Sequence, residues 1–173
     1  MKYVHKFVDT PVGNLTLVAS EFGLTAILWE NDKPTRVRLD EGVLDEGNST
    51  LVTAETQLLE YFAGARQTFS LPLHFVGTEF QKNVWHALLT IPYGETRSYG
   101  HIARQIGNEK AVRAVGAANG KNPLSIIAPC HRVIGASGEL TGFGGGLAAK
   151  ALLLDLERRY AGTPVQLTLA ACN

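Results

Sequence analysis

Two adjacent residues, Cys130 and His131, offer the most reactive chemistry in this sequence. A thiol attacks as its thiolate, and an imidazole beside it is a base able to take the proton. Pro129 lacks a backbone donor and fixes its own φ. It is therefore expected to end a strand over the apolar run Pro123–Ala128 and to set a rigid turn under Cys130. Free cysteine is often a small buried hydrophobe, and that is the alternative reading of Cys130. The proline before it and Gly135 and Gly138 after it lift it above a chance Cys-His pair. Cys172 has no such setting and reads as an incidental, mobile thiol near the carboxyl end. The imidazole also needs an orienting group. Glu157 is the best candidate, because the short apolar helix Lys150–Leu156 packs its carboxylate inward; Asp155 or a solvated Glu157 are the alternatives. Thr141–Gly146 lacks the Lys-Ser/Thr ending of a P-loop and reads as a flexible lid with exposed backbone donors. Two cysteines 42 positions apart and five scattered histidines give no ligand spacing, so neither metal nor cofactor is expected.

A second group of residues is cationic. The stretch Glu109–Asn119 is a helix of mostly small residues, which implies close approach to a neighbouring helix or to a nucleic-acid backbone. Lys110, Arg113 and Lys121 flank it and favour phosphate contact. Charge is segregated along the chain: six Lys/Arg against ten Asp/Glu up to Thr78, then seven against three to Arg132. Net charge is zero over the whole, so the positive middle either faces a polyanion or reflects chance segregation on a solvated surface.

The elements that must position these residues divide at about residue 75. Residues 3–29 alternate as a three-strand meander around the turn Thr10–Asn14, and residues 30–49 read as a loop or ragged strand. A helix is expected from Thr53 to Phe62 with Gly64 as its stop, then a short strand and linker over 65–77. Thr78 and Gln81 match a capping box, with Phe80, Val84, Trp85, Leu88 and Leu89 on one helical face. Ser98 caps the next helix, Gly107 stops it, and Asn108 is expected to cap the third. The pair around Gly107-Asn108 forms a helix-turn-helix pattern over about 98–120. At 173 residues and 45% apolar content the chain can bury a real core. No apolar run reaches the ~20 residues of a membrane helix. The start lacks a signal-peptide apolar region, and two cysteines make no disulfide framework, so a reducing cytoplasm is expected.

Assembled, these residues resemble the O6-alkylguanine-DNA alkyltransferases, the methylated-DNA–protein-cysteine methyltransferase family. The resemblance covers most of the chain. Thr10–Leu15 is similar to the amino-terminal hairpin, and Thr78–Trp85, Ile91–Gly94, Tyr99-Gly100 and Ala111–Gly116 follow the carboxyl-domain pattern. Asn122-Pro123 leading into Pro129–Val133 is the most specific part. The implied fold is α/β: a small ribonuclease-H-like domain over 1–75, then a mainly helical DNA-binding and alkyl-acceptor domain over 76–173 with the helix-turn-helix. The implied activity is direct-reversal DNA repair. A methyl or other alkyl group passes from O6 of a guanine flipped out of duplex DNA (O4 of thymine is a further candidate) to Cys130. By the same resemblance His131 takes the thiol proton through a water and Glu157 holds the imidazole. Tyr99 donates a proton as guanine leaves and crowds the neighbouring phosphate. Asn122 is the hinge, and Arg113 fills the vacated stack. Carbonyls of Cys130 and Val133 read the guanine amine. Lys110, Ala111 and Ala114 belong to the DNA face, whose helix lies in the minor groove. Phe143 stands where some relatives have tyrosine and Gly144 where some have serine, which bears on pocket size. The cysteines of the zinc site of some relatives are absent. A monomer in solution, with no membrane association, is expected.

The thioether product has no hydrolysable bond, so one transfer should consume one molecule. Two other readings stand beside this one. A non-catalytic lesion binder would lack the cysteine, and a Cys-His hydrolase would leave the basic helix-turn-helix unexplained.

Overall fold

The computed structural model describes residues 1–163. Strands β1 (Val4–Thr10), β2 (Gly13–Ser20) and β3 (Gly23–Trp29) form the antiparallel meander, with Val8 opposite Leu15 and Leu17 opposite Ile27. The first turn is tight because Thr10 Oγ1 accepts from Val12 N and donates to the Gly13 carbonyl, and Gly13 takes φ +102°. A two-residue strand, β4 (Val43–Leu44), adds in parallel to the free edge of β1. Helix α1 (Ser49–Phe62) starts one turn earlier than expected. The Asn48 side chain accepts from Leu51 N at 3.1 Å and caps it. Its buried stripe of Leu51, Ala54, Leu58 and Tyr61 packs across the meander. A fully buried leucine of this kind contributes roughly 1.5–3 kcal/mol. Gly64, at φ +77°, follows the end of the helix as expected. The strand expected within 65–77 reduces to a single bridge, Leu73 beside Leu24.

The capping box at Thr78–Gln81 is formed in full and opens α2 (Glu79–Leu88), which buries Val84, Trp85 and Leu88. After a short strand β5 (Arg97–Ser98), the Ser98 hydroxyl caps α3 (Tyr99–Gln105) by accepting from His101 N. Gly107 closes α3 at φ +79°: its N–H reaches the Arg104 carbonyl, and Asn108 N–H reaches that of Ala103. This double bond is the left-handed stop of a helix. It overturns the expected start of the next helix at Glu109. With its amide held by α3 and its carbonyl accepting from Ala111 N, Asn108 cannot act as the cap. Helix α4 runs Val112–Gly120 from Ala111, with no side-chain cap. Lys110 therefore lies in the turn before the helix rather than on it. Trp85 Nε1 donates to the Ala118 carbonyl at 2.8 Å and ties α4 to α2. Arg113, Ala114 and Ala117 remain on the exposed face of α4.

The strand expected over Pro123–Ala128 does not form. Only Leu124 makes a bridge, parallel to Ile27 of β3, and the rest is a buried turn in which Ile126 takes φ +76°. Every residue from Asn122 to Val133 is buried, so the run reads as apolar without being extended. Asn122 replaces the missing ladder: Nδ2 donates to the Ala128 carbonyl at 2.8 Å, and Oδ1 accepts from Leu124 N at 3.0 Å. A 3-10 turn over Cys130–Arg132 follows, then β6 (Val133–Ile134), parallel to β5, and α5 (Leu147–Tyr160). One apolar core runs from Leu17 in the sheet through Trp85 to Leu153 in α5. Among the described residues no helix is long and apolar enough to cross a membrane.

Candidate active site

Cys130 and His131 begin the 3-10 turn and are almost removed from solvent, at 4% and 0% exposure. Glu157, on the inner face of α5, reaches His131: Nε2 of the ring lies 2.6 Å from Glu157 Oε2. A carboxylate accepts only, so Nε2 carries the proton and Nδ1 is left as the bare acceptor of the ring. That Nδ1 is buried without a partner among the described residues. Burial holds His131 below its usual range, against the pull of Glu157. At Glu157 burial pushes the carboxyl up, but His131 and Arg132 outweigh it and hold the group at about 2. The imidazole at rest is thus neutral and the carboxylate ionised.

Arg132 departs from its expected place in a positive middle facing a polyanion. Its guanidinium is turned inward and forks onto Glu157, with Nε–Oε1 at 2.7 Å and Nη2–Oε2 at 3.1 Å, while Nη1 donates to the Ile91 carbonyl at 2.6 Å. Tyr61 of α1 donates to Oε2 at 2.6 Å and the Gly94 amide to Oε1 at 3.3 Å. The carboxylate is therefore saturated by four donor residues from three places: the 3-10 turn, α1 and the turn at Gly94.

Burial pushes the Cys130 thiol up. The Asn122 side chain, Arg36, Lys150 and Ser125 pull in the opposite direction. Three of these, Lys150, Arg36 and Ser125, had no assigned role in the sequence reading. Lys150 of α5 is 0% exposed, and its ammonium donates to the carbonyls of Val133 at 2.7 Å and Thr141 at 3.4 Å. No carboxylate pairs with it among the described residues. Arg36, in the loop after β3, forks onto Asp32 and donates to the carbonyls of Asn122 at 2.5 Å and Ile27 at 3.0 Å. The only sequence signal for Lys150 was a cation among apolar neighbours on the inward stripe of a helix, three residues from Leu153 and seven from Glu157. Asp32, four positions before it, is a local partner of Arg36, but nothing local marked its link to the Cys130 turn, because Asn122 lies 86 positions on.

The remaining site residues divide in two. Tyr99, Phe143 and Gly144 line a cleft of about 650 Å³ between the sheet and the helices, together with Trp29 and Arg36. The Tyr99 hydroxyl bonds that of Thr141. Phe143 stands edge-on to Trp29, with ring centres 5.3 Å apart, and half-buries itself over His131 at 6.5 Å. Gly144 meets a steric need: a Cβ there would lie 2.8 Å from Arg36 Cδ, in a side chain held by Asp32. Cys130 and Val133 do not line this cleft. Arg113, Ala114 and Lys110 lie on the exposed side of α4 and its leading turn, and Ala111 is half-buried at the helix start. Cys172 lies outside the described residues.

The fold and the site together define a class. It is a helix-turn-helix protein with a ribonuclease-like sheet domain, in which a buried thiol is followed directly by an imidazole bonded to a fixed carboxylate. Two family models match: 6-O-methylguanine DNA methyltransferase, ribonuclease-like domain, over residues 3–75, and its DNA binding domain over 79–159. The chain is 50% identical over 167 residues to a methylated-DNA–protein-cysteine methyltransferase of Mycolicibacterium paratuberculosis, covering 95% of this chain and 97% of that one. It is 47% identical to the constitutive protein of that name from Bacillus subtilis, over 87% and 92% of the two chains. The crystal structure of Mycobacterium tuberculosis O6-methylguanine methyltransferase superposes with a TM-score of 0.83 at 49% identity, covering 97% and 99%. A structure of the M. tuberculosis protein in complex with DNA does so at 0.82 and 48%, covering 98% and 99%. This chain belongs to the methylated-DNA–protein-cysteine methyltransferase family.

Proposed function

We propose that this protein repairs alkylated DNA by moving a methyl or other alkyl group from O6 of a flipped guanine to Cys130, once per molecule. The observation that carries this reading is the buried Cys130 next in sequence to the His131–Glu157 pair, whose free ring nitrogen, Nδ1, has no partner among the described residues. His131 Nδ1 takes the thiol proton through a water, and Glu157 stabilises the imidazolium that forms. The sulfur attacks the alkyl carbon, an S–C bond forms, the C–O6 bond breaks, and Tyr99 supplies a proton to the leaving base. Carbonyls of Cys130 and Val133 read the guanine amine, and Phe143 and the Gly144 amide border the base. O4 of thymine offers the same exposed alkyl ether and is a second acceptable donor. Residues 1–75 act as the ribonuclease-H-like domain and 76–173 as the DNA-binding and alkyl-acceptor domain, with Asn122 as the hinge between α4 and the Cys130 turn.

The exposed face of α4 supports a DNA partner of this kind. Ala111, Ala114 and Ala117 let the helix approach a minor groove, Lys110 sits at its start for a phosphate, and Arg113 can enter the stack left by the flipped base. The relative crystallised with DNA supports the same partner.

The test is the intact mass after incubation with duplex DNA carrying O6-methylguanine. One added methyl on the Cys130 peptide, stopping at one equivalent, is the expected result. Binding with no mass change would leave a non-catalytic lesion binder, and repeated turnover would overturn the single-use reading. Arg113→Ala is expected to slow transfer from duplex roughly tenfold, the scale of one lost stacking contact, and to leave transfer from the free base unchanged. Equal losses on both substrates would remove Arg113 from the stack.

A further inference from the structure

The Glu157 oxygen that faces His131 is shared with a donor from the other half of the chain. Oε2 takes His131 Nε2–H at 2.6 Å and the Tyr61 hydroxyl at 2.6 Å, with Arg132 Nη2 at 3.1 Å. Arg132 Nε at 2.7 Å and the Gly94 amide at 3.3 Å go to Oε1 instead. A carboxylate only accepts, so Tyr61 gives its proton to the same atom as the imidazole does. The separation is that of a charge-assisted O–H···O⁻ bond. Tyr61 lies in the last turn of α1, 96 positions before Glu157, on the stripe that packs across the meander. Its side chain is fully buried. The ring has no freedom to swing away: Phe62 and Tyr93 stand edge-on to it at 5.3 and 6.2 Å, and Phe69 lies tilted at 5.6 Å. Burial first, then the charge of Glu157, hold the hydroxyl well above the usual tyrosine range, so it remains a donor at every working pH.

We propose that Tyr61 is a positioning residue of the relay: it fixes Glu157 Oε2 against the His131 ring and, by sharing that oxygen, restrains the proton affinity of the imidazole. Its role rests on the reading in which Cys130 is the alkyl acceptor and His131 its base. Two donors on one oxygen compete for the same negative charge. With the Tyr61 hydroxyl in place, less of that charge is left for the imidazolium that forms when the thiol proton arrives. The imidazole therefore stays neutral at rest, with Nδ1 open, and α1 takes a share in the chemistry of a site built on the other half of the chain. The charged and titratable groups facing this cluster are His131 and Arg132 from the 3-10 turn, Tyr93 from the segment after α2, and Lys150 and Tyr160 from α5. None of them is changed by the Tyr61 variants below.

The test is the His131 titration in the whole protein, followed by nitrogen–proton correlation NMR of the histidine rings and assigned by its absence in His131→Gln. Tyr61→Phe keeps the ring and loses the hydroxyl. It is expected to move the His131 midpoint upward by about one unit, the scale of one hydrogen bond to a charged group. Alkyl transfer from duplex DNA carrying O6-methylguanine should then fall about tenfold below the midpoint and match the wild type above it. A hydroxyl that served packing alone would leave the midpoint in place and slow transfer equally at every pH, and either result overturns the proposal. Replacing Tyr61 by meta-fluorotyrosine keeps the bond and strengthens the donor, which should move the midpoint downward. It supplies the readout should Tyr61→Phe fail to fold, and a midpoint that stays or rises there overturns the sharing of Oε2. The histidine titration needs no DNA, so a wild-type protein that takes no alkyl group from the lesion would overturn the proposed function without moving this result.

Discussion

Glu157→Gln is expected to lose about 3–5 kcal/mol of folding stability, the cost of leaving a buried charge without its partner. The carboxylate accepts from His131, Arg132, Tyr61 and the Gly94 amide at once. An amide of the same shape keeps one acceptor oxygen and turns two N–H groups toward donors. Arg132 stays buried with the Ile91 carbonyl and at most one neutral amide oxygen in place of its carboxylate. Activity falls through a second route. An amide N–H facing the ring favours the tautomer protonated on Nδ1, which removes the acceptor that the thiol proton needs. Loss of a general base costs roughly 10²- to 10⁴-fold in rate. Acid unfolding checks the assignment independently. The folded carboxyl sits at about 2 against 4.5 when free, so its stabilisation is complete above about 4.5 and is lost as pH falls toward 2. His131, held below its usual 6.5 by burial, acts in the same direction, since the unfolded chain takes up its proton first. The wild type should lose stability over both ranges and Glu157→Gln only over the upper one. A variant with unchanged stability at neutral pH would show that Arg132 finds another partner.

What was legible in the sequence was local. Thr78 and Gln81, Ser98, and Gly107 each act within four residues of themselves, and each cap or stop is where its side chain demands. The inward turn of Glu157 was legible too, because helical periodicity places it on the stripe of Leu153. The errors share one cause. Pro123–Ala128 is apolar because it is surrounded, by β3 on one side and the helices on the other, and no periodicity separates that from a strand. Asn108 had the side chain of a cap, but its backbone was already committed to ending α3. Arg132 counted as surface charge until a carboxylate 25 positions on drew it inward. The links that tie the site to the sheet, Trp29 to Ser125 and Arg36 to Asn122, span 96 and 86 positions, and nothing in the neighbouring sequence pairs them. Tertiary contact alone makes them part of the site.

Lys150→Met should slow alkyl transfer on the order of 10²-fold at neutral pH, the scale of removing one preorganised electrostatic contact from a dry site. A buried ammonium with carbonyl partners and, among the described residues, no carboxylate is an incomplete arrangement, and burial lowers its proton affinity. The one negative charge the reaction creates nearby is on Cys130, and its effect on Lys150 is to raise that affinity again. The cation is thus set for a charge that exists only as the sulfur ionises and the guanine leaves. Methionine has nearly the same length and no charge, so folding should be unharmed or improved, as when buried ions give way to apolar groups. The loss in rate should shrink as pH rises, because the variant's thiol ionises at higher pH than the wild type's. This pairing of slower transfer with undiminished stability separates an electrostatic role from a structural one. If Lys150→Met loses stability and rate together, and the rate does not recover in alkaline solution, the ammonium serves only to brace the Val133 and Thr141 carbonyls.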